Sequence, residues 1–214
     1  MIVRSMRVFL RPIRVRVMNE MNPKTAFLRG LAAALAVFFL ASCAESGSGP
    51  AAVVARPAGG DFVLQSAAGP VDTRALRGNV LLIYFGYVNC PDICPVSMAA
   101  GAAALNALTP QERAKTRMIM VSVDPERDTP ASLKEYAAYF HPAMIGAVGT
   151  PAETAAIAKS FGAGYLRQPT RPDGGYAVDH SSQTYVVGPD GKVVELLSLG
   201  VATDKVVATV RKLL

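Results

Sequence analysis

The stretch Asn79 to Tyr87, NVLLIYFGY, is an almost unbroken apolar and aromatic run with no polar face. Such a run reads as a strand covered on both sides, as in the middle of a sheet. Directly after it comes VNCPDICP, Val88 to Pro95, where two cysteines with three residues between them sit among prolines. The next segment, PVSMAAGAAALNAL, opens with a proline, is rich in alanine and stops before Thr109-Pro110, the pattern of a helix. A buried strand, a stiffened cysteine loop and a helix in succession imply an α/β arrangement.

The rest of the chain fits that frame. MIMVSV, Met118 to Val123, reads as a second buried strand. TPASLKEYAAYF is a helix capped by Thr129 with Pro130 in its first turn, and TPAETAAIAKSF is another. In the second, Thr150 and Glu153 have the spacing of a capping box around Pro151. QTYVVGPDGKVVELLSLG is a hairpin, two β-rich runs about Gly188-Pro189-Asp190-Gly191, and Thr203 and Asp204 open a short terminal helix. The order β-α-β-α-α-β-β-α predicts an open α/β sheet with helices on its faces. In such sheets ligands sit beyond the C-terminal ends of the strands, where Cys90 falls. No internal repeat is visible. Residues 61–214 suit one domain with one core.

Residues 1–42 are different in kind. They carry seven basic residues and one acid, Glu20, and contain the uncharged apolar run Leu31 to Ala41. That run fits a signal-peptide core and is shorter than the roughly 20 residues a membrane-spanning helix needs. It ends in Leu40-Ala41-Ser42-Cys43, which resembles the lipobox of bacterial lipoproteins; the resemblance implies cleavage before Cys43 and lipid on its sulfur. Met18 and Met21 offer alternative starts for the same leader. Residues 43–60 are rich in Ala, Gly, Ser and Pro and read as a flexible tether, of reach roughly 20–25 Å. The expectation is an exported, membrane-anchored lipoprotein facing the periplasm. The whole chain is +6, but residues 43–214 hold 15 basic and 15 acidic residues, so the basic footprint of a nucleic-acid binder is absent.

Beyond Cys43, the chain holds only Cys90 and Cys94. Pro95 disfavours helical geometry at the residue before it, so Cys94 is expected at the start of the helix that Pro95 opens. There the macrodipole and the free N–H groups should lower its pKa and favour thiolate. Three chemistries are open to the pair: a structural disulfide, a redox couple or a soft-metal clamp. A loop this small removes little unfolded-state entropy, which weakens the structural reading. A metal needs a third ligand, and there are two histidines. His141, in YFHP, reads as an end-of-helix residue. His180, in VDHSSQTYVV, precedes the hairpin and follows a Gly/Pro-rich loop that can reach the cysteines.

Together YFGYVNCPDICP, VSVDPERDTP and VDHSSQTYVVGPDG resemble, in order and spacing, three signatures of the SCO/SenC family. The resemblance runs from about Asp61 to Leu214. It implies a thioredoxin-like fold, a central mixed β-sheet flanked by helices, with one copper ion, Cu(I) or Cu(II), held by Cys90, Cys94 and His180. It further implies a copper chaperone, not an enzyme, which helps build the dinuclear copper A centre of cytochrome c oxidase subunit II. A copper-donor protein or a thiol reductant would act alongside it. Two departures stand out: Val88 replaces the commoner threonine, and FGAGYLRQPTRPDGG is Gly-rich where many members are more aromatic. Many eukaryotic members use a transmembrane anchor, which the Cys43 lipid would replace.

The donor set agrees, since two thiolates and an imidazole favour copper by softness. Asp179, beside His180, is a candidate to orient the imidazole or to add an axial oxygen, and equally a solvated loop carboxylate. Asp124, Glu126 and Asp128 follow a strand on the cysteine edge, as a capped helix start or a partner-docking loop; Asp124 is the candidate supporting residue. The competing function is a thiol–disulfide oxidoreductase that reduces acceptor cysteines. The C-x₃-C spacing and the absence of proline in DHSSQT argue against a general thioredoxin.

Overall fold

The computed structural model describes residues 56–214. The leader, Cys43 and the tether up to residue 55 lie outside the described residues. Among the described residues no helix is long and apolar enough to cross a membrane.

The apolar run becomes β3 (Val80–Gly86), buried at all seven positions. It is the middle of a five-stranded mixed sheet. On one side it pairs in parallel with β4 (Thr116–Ser122), which pairs in parallel with β5 (Met144–Ala147). On the other it pairs antiparallel with β8 (Thr184–Val187), which forms the expected hairpin with β9 (Val193–Leu197). The order across the sheet is β5-β4-β3-β8-β9.

Consecutive side chains on β3 point to opposite faces. Tyr84 reaches Cys94 on helix α1 (Ile93–Ala107), whereas Phe85 packs 5.7 Å from Phe161 on α4 (Pro151–Phe161). Both faces are therefore covered, and that is why the strand carries no polar face. Helix α1 rides close on the sheet: a Cβ at Gly101 would fall 2.0 Å from the Met118 sulfur of β4. Helix α3 (Pro130–Phe140) and α4 carry the expected caps from Thr129 and Thr150, and α5 (Thr203–Arg211) closes the chain.

The structure adds elements that the sequence reading passed over. Strand β5 separates α3 from α4; it is four residues long and contains a glycine, too short for any periodicity to show. Thr109 caps a five-residue helix, α2 (Pro110–Ala114). A small hairpin, β1 (Val63–Ser66) with β2 (Gly69–Asp72), precedes β3. The Gly/Pro-rich segment, read as loop, holds β6 (Tyr165–Arg167) paired with β7 (Val178–His180), and this two-stranded arm ends on His180.

Candidate metal centre

Three segments meet at one edge of the sheet. The parallel strands β3 and β4 end side by side, with Gly86 opposite Ser122, so the cysteine loop and the Asp124–Asp128 loop leave the same edge. Strand β8 runs antiparallel to β3 with Thr184 opposite Tyr84, which brings the chain just before β8, and His180 with it, to that edge as well.

Helix α1 starts at Ile93, two residues earlier than Pro95. The first turn of a helix has no intrahelical partner for its N–H groups, so Pro95 is accommodated inside it without losing a hydrogen bond. Cys94 is thus the second residue of the helix, at its start as expected, and it is 0% exposed. Burial then outweighs the helix terminus: it pushes the Cys94 thiol up, opposite to the sequence expectation, because a thiolate there would be poorly solvated. The Tyr84 hydroxyl donates to the Cys94 sulfur at 3.7 Å. Burial also raises the Tyr84 phenol, which keeps that donor proton in place. Gly86 makes room, since a Cβ there would stand 2.8 Å from the same sulfur.

The imidazole of His180 completes the cluster. Its Nε2 lies 3.3 Å from the Cys94 sulfur and 3.6 Å from the Cys90 sulfur. Its Nδ1 lies 3.0 Å from the Ser181 carbonyl, which only accepts, so Nδ1 carries the proton and Nε2 presents its lone pair to the sulfurs. Tyr84 and Tyr87 stand edge-on to the ring at 6.0 and 5.7 Å. Burial holds His180 below its ordinary value of 6.5, so the ring is neutral at pH 7. The three ligand atoms lie within 4.8 Å of one another. Metal–sulfur bonds of about 2.3 Å and metal–nitrogen bonds of about 2.0 Å would separate S and N by roughly 3.5–3.7 Å, close to what the fold holds ready. Cys90 and His180 border an open cleft of about 370 Å³, whereas Cys94 does not reach it.

The other candidates are placed elsewhere. The Asp179 carboxylate accepts from Gln168 Nε2 across the arm, and the imidazole Nδ1–H donates to the Ser181 carbonyl instead. Asp124 is buried and touches none of the three ligands; it pairs with Arg127 and accepts from the Tyr176 hydroxyl at 2.7 Å. Asp128 is buried too, accepting from the Ser122 hydroxyl at 2.6 Å and from the Val88 N–H at 3.3 Å, which ties the two loops together. Glu126 is exposed. His141 caps α3 and its Nδ1 accepts from the Ala143 N–H, an end-of-helix role as expected. Tyr84, Gly86, Tyr87, Arg127 and Tyr176 were not singled out from sequence, although Tyr84, Gly86 and Tyr87 lie in the quoted cysteine motif.

Comparison with known proteins matches residues 51–214 to the SCO1/SenC family model. An SCO2-like protein of Rickettsia conorii is 37% identical over 139 residues, covering 64% of this chain and 67% of the relative. Of three matched mitochondrial relatives, the chain spans only 47–58% of the length. The copper-bound structure of Bradyrhizobium japonicum ScoI is 36% identical, with a TM-score of 0.68 over 73% of this chain and 99% of that one. BsSco, a member of the Sco family of cytochrome c oxidase assembly proteins in which a disulfide switch was identified, is 29% identical. Its TM-score is 0.58, over 74% of this chain and 94% of that one. Motif order, fold and family model agree, and this chain belongs to the SCO1/SenC family.

Proposed function

We propose that the chain is a copper metallochaperone that carries one copper ion on Cys90, Cys94 and His180 as cargo. The observation that carries this reading is the convergence of two sulfurs and an imidazole lone pair from loops 86 residues apart, with one side left open. Two soft thiolates select copper, and the open side lets an acceptor attack the ion. The acceptor is the copper A site of cytochrome c oxidase subunit II; the copper-bound ScoI and the oxidase-assembly role of the Sco family support it. Lipid on Cys43 would hold the domain at the outer face of the cytoplasmic membrane, and mass spectrometry of membrane-extracted protein tests that by its N-terminal residue.

Purified protein, reduced and then air-oxidised, is loaded with Cu(I) or Cu(II). One copper per chain is expected when reduced and none once Cys90 and Cys94 form a disulfide, because a disulfide sulfur has no charge to offer the ion. Equal binding by oxidised protein would sink the reading.

A thiol–disulfide reductase is the second reading, favoured by two free cysteines within 4.8 Å of each other. Cys90 thiolate would attack an acceptor disulfide and release one acceptor thiolate. Cys94 would then displace the second, leaving the acceptor reduced and Cys90–Cys94 oxidised. An external thiol reductant must restore the pair.

A further inference from the structure

We propose that Arg127 is the positioning residue of this site: it fixes where the His180 imidazole stands, by clamping the β6–β7 arm to the cysteine loop. The proposal rests on the copper reading above for its consequence, but its geometry does not involve any ligand atom.

Arg127 leaves the loop after β4, and its guanidinium touches all three segments that build the site. Nε donates to Asp124 in its own loop. Nη1 donates to the Tyr176 carbonyl at 3.0 Å, in the arm. The cation lies 3.6 Å from the centre of the Tyr176 ring and 5.6 Å from that of Tyr87, the residue that leads into the cysteine loop. The two tyrosines close the circuit. The Tyr176 hydroxyl donates to Asp124 at 2.7 Å, and the Tyr87 hydroxyl accepts the Val178 N–H at 3.2 Å, two residues before His180. Tyr87 also stands edge-on to the imidazole.

The arm needs such a clamp. Two paired strands of three residues are not stable by themselves in water. Apart from the Arg127 group, the arm is held by Ser181 through Gly164, by the buried Val178 and by an exposed ion pair from Arg167 to Glu126. An ordinary exposed ion pair contributes little, because both charges keep their water. Here the carboxylate is 3% exposed and the cation 26%, lying against one aromatic face and near a second. A lysine keeps the charge but cannot bridge two acceptors with a planar fork while lying flat on a ring. Arg127→Lys therefore separates geometry from charge. Arg167→Gln is the control: it removes the outer cation on Tyr176 and an exposed ion pair to Glu126, of the kind that contributes little, and leaves every contact of Arg127 intact.

The test is amide exchange in the chain without copper, followed by copper release and the thiolate-to-Cu(II) absorption band. In Arg127→Lys, Val178 and Ser181 should exchange about 10-fold faster, while β3 amides keep their protection. Copper should be held less tightly, by up to the roughly 10- to 100-fold that loss of a group bonded directly to a metal ligand costs, with a shifted or weakened band. Arg167→Gln should behave as wild type. Unchanged exchange at Val178, or a uniform loss of protection over the sheet, would overturn the proposal. If Arg127→Lys does not fold, Tyr87→Phe decides, since it deletes only the hydroxyl that accepts Val178; unchanged exchange there overturns it equally. A wild-type chain that binds no copper would sink the chaperone reading, and exchange would still decide the clamp.

Discussion

The His180 Nε2 stands 3.3 Å from the Cys94 sulfur while its Nδ1–H is committed to the Ser181 carbonyl. One ring nitrogen fixes the tautomer and the other is left to bind. The ligand is thus prepared by a backbone group one residue away, and no side chain beside it has to move. Losing the imidazole removes a ligand and the edge-on partner of Tyr84 and Tyr87, while the backbone that carries it stays paired in the arm.

For His180→Ala the expected outcome is a sharp loss of copper retention and of oxidase assembly, with the Cys90–Cys94 pair still able to form and break its disulfide. Thiol exchange needs an attacking thiolate and a resolving partner, and neither is the imidazole. Copper affinity, disulfide reduction potential and oxidase activity are measured on the same variant. Undiminished copper binding with normal oxidase activity would leave the reductase reading ahead.

Gly86→Ala tests how tightly the buried sulfur is housed. The new methyl would meet both the Cys94 sulfur and the Tyr84 ring at 2.8 Å, inside van der Waals contact. Overpacking of this kind costs about 1–3 kcal/mol. The variant should unfold at lower denaturant and release copper faster. Wild-type values on both counts would mean that Cys94 can withdraw freely, against the close fit described.

Copper affinity should rise with pH across the neutral range. Burial raises the Cys94 thiol, so the ion must displace its proton, and apparent affinity falls about tenfold per pH unit for each proton displaced below that pKa. Burial moves His180 the other way, although proton competition there has the same sign. Burial lowers it, so protons compete for Nε2 only below its ordinary value of 6.5. Affinity measured against a competing chelator from about pH 6 to about pH 9 should climb throughout. A flat profile above neutrality would show that Cys94 is already thiolate.

Much of this site was legible in the sequence because it is local. The apolar run, the prolines and the C-x₃-C spacing place the cysteines at a strand end, and the helix caps at Thr129 and Thr150 stand as read. His180 was selected by its motif and by the loop before it. The direction of the Cys94 shift was not legible, because helix position can be read from Pro95 whereas burial is a tertiary property. The clamp was invisible for a related reason: its contacts join residues 49 to 91 positions apart, and no spacing rule pairs Arg127 with Tyr176 or Tyr87 with Val178. Strand β5 was missed because four residues with a glycine carry no period.

The two sulfurs should differ in reactivity. Cys90 borders the open cleft beside His180, whereas Cys94 is 0% exposed and receives the Tyr84 hydroxyl. The thiolate is the nucleophile, and each unit by which a thiol's pKa exceeds the ambient pH reduces its reactive fraction about tenfold. Reduced protein should therefore take up a bulky alkylating reagent first at Cys90, with Cys94 modified far more slowly in the folded chain. Peptide mass spectrometry after short exposure reads the site directly, and denatured protein gives the reference in which both react. The same order governs approach by an acceptor. A thiolate entering from the cleft meets the Cys90–His180 side of the ion, so Cys94 should be the last ligand to let go. Equal labelling of the two cysteines in folded protein would remove that asymmetry and the order of release that follows from it.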